Sequence, residues 1–199
     1  MSTFKKNIFK ITTNGVHPSQ GCTLMSEPFL KDNYFQRSVV LLVDHTNEGS
    51  IGLILNKKTK LTVNSFFPEL SDVPAIPIYI GGPVSPNHLF FIHTLGKDII
   101  PKSMPVNDDL FFDGDFDALK QYILSGKPIE GKVKFFLGYS GWSKDQLEEE
   151  IQSNSWIVRR SAQDNILIEN DNDLWKSSIE SLGDEYKRWS QYPKDPNLN

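Results

Sequence analysis

Cysteine is nearly missing from this chain: Cys22 stands alone in 199 residues. A lone thiol cannot form an internal disulfide, and a zinc cluster built on cysteine pairs is excluded. Arginine is scarce as well, limited to Arg37, Arg159, Arg160 and Arg188. Dedicated nucleic-acid binders display a basic stripe that displaces counterions from phosphates, so direct DNA binding is not expected of this domain. The N-terminus lacks the apolar run of about 7 to 15 residues that marks a signal peptide, and no segment reaches the ~20 of a membrane span. A cytoplasmic protein without a membrane span is the expectation. Neither the glycine-rich phosphate loop nor the dinucleotide fingerprint occurs. The histidines, His17, His45, His88 and His93, sit on separate segments without the i, i+4 spacing of a helix-borne zinc site. His88 and His93, five residues apart on one strand, point to opposite faces. No metal and no cofactor are expected.

What is present is ordinary globular material: 38% hydrophobic and 23% charged residues, with 12 prolines and 13 glycines marking many turns. A single domain of this length buries roughly 70% of its unfolded surface, so one core is expected. The net charge of −4 is unevenly spread. Residues 1–20 hold Lys5, Lys6 and Lys10 and no acid, whereas residues 143–199 hold 12 acids against 7 bases. Phe4, Ile8 and Ile11 have helical spacing between those lysines, which suits a short amphipathic helix docked on the body, with a membrane-surface helix as the alternative. The organisation read from this is a basic N-terminal arm (1–20), an α+β domain (21–189) and a proline-containing tail (190–199).

A short strand is expected at Cys22 to Met25. Val39 to Val43 is apolar without alternation, which predicts a strand covered on both faces, and Ile51 to Leu55 is its natural partner. Thr46 to Gly49 between them fits a hairpin loop of four or slightly more residues, and this hairpin is expected at the centre of the sheet. Further strands are predicted at Ile78 to Ile80, Leu89 to Leu95, Leu110 to Phe112, Val133 to Leu137, Trp156 to Val158 and Asn165 to Ile168. A short helical turn is expected at Thr62 to Phe67 before Pro68. Phe116, Leu119 and Ile123 form a helix face capped by Asp113 or Asp115 and stopped by Gly126 and Pro128. Ser143 and Gln146 have capping-box spacing at the start of a helix with Leu147 and Ile151 inward, its glutamates 148–150 forming a solvated face. A last helix, capped by Asp171 or Asn172, turns Trp175, Ile179 and Leu182 inward and stops at Gly183. Hairpin-like strand order with few helices argues for an α+β fold with dominant antiparallel pairing.

Gly138-Tyr139-Ser140-Gly141-Trp142 has the outline of a nucleophile elbow, a strand, a glycine-flanked serine and a helix. The bulky Trp142 occupies the place of the elbow's last glycine, so the segment reads as a structural turn and no residue is assigned a catalytic role. Asp44-His45 at a strand end offers half of an acid–base pair or a surface turn. Asn56-Lys57-Lys58 with Lys60 is the most basic internal run, and Gly81-Gly82-Pro83 offers backbone N–H groups to an anion. Their plainer reading is a solvated loop and a tight turn.

Three segments in order, Leu30 to Lys57, Tyr79 to Val84 and Phe135 to Trp156, resemble the bacterial AlgH/YqgE family, over roughly residues 20 to 183. That family carries a transcriptional-regulator label with no established molecular activity. The resemblance implies an α+β fold with a mostly antiparallel, partly barrel-like sheet and flanking helices in a single domain. It carries no catalytic residues, and the position of Ser140 is commonly alanine in the family. Lys58 departs from the family's usual proline. The candidate ligand- or partner-binding residues are Arg37, Asp44, His45, Asn56, Lys57, Gly81, Gly82 and Pro83, with Gly138, Ser140, Gly141 and Trp142 as a structural motif. The expected function is non-enzymatic binding or regulation with a protein or small-molecule partner. The rivals are a sensor or enzyme using a polar pocket near Asp44, His45, Asn56 and Lys57, and a direct DNA-binding regulator.

Overall fold

The computed structural model describes residues 14–160, 166–168 and 174–192. The expected N-terminal amphipathic helix, the cap at Asp171 or Asn172 and the end of the tail lie outside these residues. Ten strands are described: β1 (Thr23–Ser26), β2 (Val39–Thr46), β3 (Gly49–Ile54), β4 (Lys58–Thr62), β5 (Pro77–Ile80), β6 (Val84–His93), β7 (Met104–Pro105), β8 (Phe111–Phe112), β9 (Val133–Ser143) and β10 (Trp156–Arg159). Four helices accompany them: α1 (Phe116–Leu124), α2 (Gln146–Gln152), α3 (Leu174–Glu180) and α4 (Asp184–Ser190). Two 3-10 turns, Val63–Ser65 and Pro68–Leu70, follow β4. The fold is α+β and mostly antiparallel, as expected.

The sheet runs β10-β1-β2-β3-β9-β6-β8-β7, with β5 joined to both β4 and β9. β5 with β9 is the parallel pair, and among the described residues the sheet forks at β9 without closing into a barrel. The first half of β9 pairs with β5 and β6, and Ser140 to Ser143 pair with β3. β9 thus holds the sheet together, a role expected of the β2–β3 hairpin.

The unbroken apolar run of β2 is covered on both faces. Val39, Leu41 and Val43, with Leu53 of β3 and Ile157 of β10, join Trp175, Ile179, Tyr186 and Trp189 of the C-terminal helices. Val40 and Leu42, with Leu24 and Ile54, join Trp142, Leu147, Ile151 and Trp156 on the α2 side. A third cluster packs Leu119 and Ile123 of α1 against Ile78, Phe91 and Phe135. One sheet passes through all three, so the chain is a single domain with its core divided by strand alternation.

Several local expectations change. Thr46 pairs with Gly49, so the β2–β3 loop is the two residues Asn47-Glu48, tighter than expected. β6 begins at Val84, five residues before the apolar stretch that marked it. Of the two caps offered for α1, Asp115 is the one used, its carboxylate accepting from Ala118 N–H at 3.2 Å. α2 lacks the reciprocal capping box: Ser143 N–H and O–H both donate to Gln146 Oε1, at 3.0 and 3.1 Å. Residues 166–168 form a turn instead of the end of a strand. Gly183 follows the end of α3 as expected, but α3 is not the last helix: the chain restarts as α4 and folds Tyr186 and Trp189 onto the β1–β2 face.

The largest correction concerns Gly138 to Gly141. The segment is no strand-to-helix turn, since β9 runs through it as eleven continuous residues. Gly138 has φ +65°, and a Cβ there would stand 2.6 Å from Gly82 O and 2.7 Å from Val84 O. The glycine serves a kink and a close crossing by which one long strand exchanges β5 for β3 along one edge.

Candidate functional site

The residues singled out from the sequence separate into three places. Arg37, Asn56 and Lys57 meet at the start of β2. Asn56 Nδ2 donates to Arg37 O at 2.9 Å, Val39 N–H donates to Asn56 Oδ1 at 3.0 Å, and Lys57 Nζ donates to Gln36 O at 2.6 Å. The Arg37 guanidinium lies 5.1 Å from the centre of the Trp175 ring and donates to Tyr192 O, while its Nε is buried without a partner. Burial lowers the guanidinium pKa from its ordinary value. These groups brace the chain entering β2 and tie it to the C-terminal helices.

Asp44 and His45 sit at the other end of the hairpin. Five residues of strand separate Asp44 from Val39, roughly 17 Å at ~3.3 Å per residue. The two neighbours face opposite sides, so they form no acid–base pair. His45 Nδ1 lies 2.8 Å from Ser50 Oγ, and its Nε2 lies 3.7 Å from Glu148 Oε1. Asp44 lines a shallow open cleft of about 430 Å³ with Thr46, Glu48, Ser50 and Tyr139. Asp44 and His45 therefore do not converge with Asn56 and Lys57 on one pocket.

The two glycine motifs do meet. Ser140 is fully buried, and its hydroxyl donates to Gly81 O at 3.0 Å. The same carbonyl accepts Ile54 N–H at 2.9 Å, and Gly81 N–H donates to Leu137 O at 2.8 Å. Gly81 and Gly82 are buried with Pro83 exposed, so this segment is pressed onto β9 with its Gly81 donor already used. Ser140 acts here as a bridge between strands.

A mostly apolar cleft of about 490 Å³ lies elsewhere, where no residue chosen from the sequence stands. One wall is the proline-rich lead into β5, Val73 to Pro77; another is the 126–131 loop after α1; Ile123, Tyr79, Val133, Lys134 and Leu167 complete it. Ile76, Tyr79, Ile123, Val133 and Lys134 are buried, whereas Pro74, Ala75, Lys127 and Glu130 are exposed, so the cleft has a floor and a mouth. Its volume and apolar lining match those of small-molecule sites. Lys134 is the chemical exception in the floor. Only 4% exposed, it places Nζ 4.0 Å from the centre of the Tyr79 ring and donates to Ile166 O at 3.3 Å. The available signal was a lysine interrupting the apolar strand Val133-Lys134-Phe135-Phe136-Leu137.

A second missed group is Glu150, read as part of a solvated face. Its Oε2 accepts the indole N–H of Trp142 at 2.9 Å and of Trp156 at 2.7 Å, while Gln146 Nε2 donates to Oε1 at 3.0 Å. The carboxylate staples α2 to the sheet.

His93 is fully buried, and the donor pattern gives its tautomer. Leu95 N–H donates to Nδ1 at 3.2 Å, so Nε2 carries the proton toward Ser103 Oγ at 2.9 Å and Asp113 O at 3.2 Å. Burial lowers the His93 pKa, opposed by the bond to Asp113. Burial also raises the Asp113 carboxyl from 3.8 to about 6, opposed by a bond from Gly114 N–H. A raised carboxyl pKa costs stability above the folded value, and this cost disappears as pH falls toward the unfolded value. The rise corresponds to about 3 kcal/mol at 1.36 kcal/mol per pH unit, which partial solvent access screens to about 1–2 kcal/mol. Asp113→Asn should therefore stabilise the protein by that amount near pH 7.5 and by almost nothing near pH 4, in urea melts compared across pH. An equal gain at both pH values would contradict the account. The lowered His93 pKa acts oppositely, withdrawing stability as pH falls below about 6.5.

Among the described residues no group of three or more histidine, cysteine, aspartate or glutamate residues could hold a metal ion. No helix among them is long and apolar enough to cross a membrane.

An AlgH-like family model matches residues 23–187. A UPF0301 protein of Parabacteroides distasonis is 63% identical over 194 residues, 98% of each chain. A UPF0301 protein of Bacteroides fragilis is 49% identical over 97% of each. A crystal structure of a Corynebacterium diphtheriae protein superposes with a TM-score of 0.73 at 20% identity, covering 89% of this chain and 94% of that one. The solution structure of Pseudomonas aeruginosa AlgH gives 0.68 at 24% identity over 89% and 97%. At these identities the solved structures speak for the fold alone. The relatives and the family model together cover nearly the whole sheet and its helices: the chain belongs to the AlgH-like family.

Proposed function

We propose that this protein is a non-catalytic binding or regulatory protein of the cytoplasm, and that its ligand is a small molecule seated in the cleft between the 73–77 and 126–131 segments. The observation that carries this reading is the cleft itself, about 490 Å³ with a mostly apolar lining and one buried lysine. The burial of Ser140 and the separation of Asp44 and His45 from Asn56 and Lys57 support a non-catalytic role. The acidic body and the scarcity of arginine support regulation by an indirect route, without direct contact to DNA.

A thermal-shift screen against a metabolite library tests the reading. A true ligand at a hundredfold excess over its Kd adds about 2.7 kcal/mol of stability. Ala75→Trp, which puts an indole into the mouth of the cleft, should remove the shift while leaving the unliganded melt close to that of the parent. A library without hits, or hits that shift Ala75→Trp equally, would count against the cleft.

A further inference from the structure

The cleft also selects among ligand classes, an argument that rests on the cleft being the binding site. Most of its lining is aliphatic and proline side chain, and much of the polar backbone in its walls is already bonded within the protein. Asn64 secures the 73–77 wall: its Nδ2 donates to Val73 O at 3.1 Å, its Oδ1 accepts Ile76 N–H at 2.9 Å, and Ile76 O takes Val63 N–H at 2.9 Å. In the 126–131 wall Gly126 N–H donates to Ile123 O at 3.0 Å, and Ile129 O accepts the N–H groups of Lys132 and Val133 at 2.9 and 3.0 Å. Pro74, Pro77 and Pro128 bring no N–H at all. The buried Lys134 in the floor is held as well: its Nζ lies 4.0 Å from the centre of the Tyr79 ring and donates to Ile166 O at 3.3 Å, and these are not its only contacts.

An ion that enters such a site sheds its water, a cost offset only by close pairing or by several hydrogen bonds. A ligand carboxylate would have to draw Lys134 away from partners it already has, between walls poor in N–H donors. A ligand ammonium would meet the like charge of Lys134 at low dielectric. At the mouth the exposed Lys127 and Glu130 carry one charge of each sign, and water and salt screen both. An uncharged apolar molecule gives up little hydration and gains the burial of its hydrocarbon surface. We infer that the cleft takes a small uncharged apolar molecule, bound by burial of that surface, and disfavours ions of either sign.

Three probes with one skeleton test this: 2-naphthalenemethanol, 2-naphthoate and 2-naphthalenemethylamine, the last two ionised, titrated calorimetrically into the full chain at pH 7.5. The alcohol should bind at least fivefold more tightly than either ion. Its binding should carry a negative heat-capacity change, the mark of apolar burial, and should not weaken as the salt concentration is raised. Ala75→Trp should abolish it, and Pro128→Trp, in the exposed 126–131 loop, supplies a second block should Ala75→Trp fail to fold. An ion that binds as tightly as the alcohol, and is lost in the blocked variant, would overturn the inference while leaving the cleft as a binding site. Alcohol binding that survives the block would overturn the inference and the cleft reading together. No binding by any of the three probes would overturn the inference also, and the library screen then decides the cleft.

Discussion

Trp142→Ala should destabilise the protein by about 3–5 kcal/mol, the cost of deleting a buried indole and leaving a residual cavity. Trp142 is 5% exposed and closes the space between the sheet and α2, with ring centres 6.0 Å from Trp156 and 6.1 Å from Phe35. Its loss also takes one of the two indole donors from the Glu150 carboxylate. Ser140→Ala, two positions earlier on the same strand, should cost only about 1 kcal/mol. The Gly81 carbonyl it serves keeps its bond from Ile54 N–H, and no buried donor is stranded. Urea midpoints of the two variants, taken with their m-values, decide the matter. A Trp142→Ala protein within 1 kcal/mol of the parent, or a Ser140→Ala protein that falls as far as it does, would show that the segment is held differently.

Gly82→Ala should be at least as damaging, above about 3 kcal/mol, and is expected to accumulate poorly as soluble protein. A Cβ at Gly82 would stand 2.3 Å from Tyr139 C and O and 2.4 Å from Ser140 N. All three are backbone atoms of the strand that joins both halves of the sheet, so no side chain can swing aside. Gly141→Ala is the matched control. Its added methyl would meet first Tyr139 Cε2 at 3.3 Å, a ring edge that can yield, and the cost should stay within about 1 kcal/mol. Equal behaviour of the two variants in expression and in urea would remove the claim that close crossing, rather than general strand geometry, requires glycine at 82.

These contrasts separate what was legible in the sequence from what was not. The run Val39 to Val43 carried its own answer, because an apolar strand without alternation has to be covered twice, and α2 covers one face while α3 and α4 cover the other. The inward face of α1 was an equally local matter, and its cap was legible as Asp113 or Asp115, of which the structure uses Asp115. The path of β9 was not. Glycines at 138 and 141 carry the same local signal as a turn, and only the presence of Gly82 and Val84 against Gly138 makes that residue a crossing inside a strand.

The candidate site divides along the same line. Family membership, the α+β class and most of the element order were determined by composition, periodicity and three ordered motifs. Which polar residues meet was decided by tertiary structure alone. Asp44 and Asn56 are close in sequence yet belong to opposite ends of a hairpin, whereas Glu150 reaches Trp142 and Trp156, and Lys134 reaches Tyr79, across separate elements. Periodicity records that a face is buried, since burial acts on each residue through its own contact with water. It does not record what covers that face, because the covering group arrives from a distant part of the chain through long-range pairing.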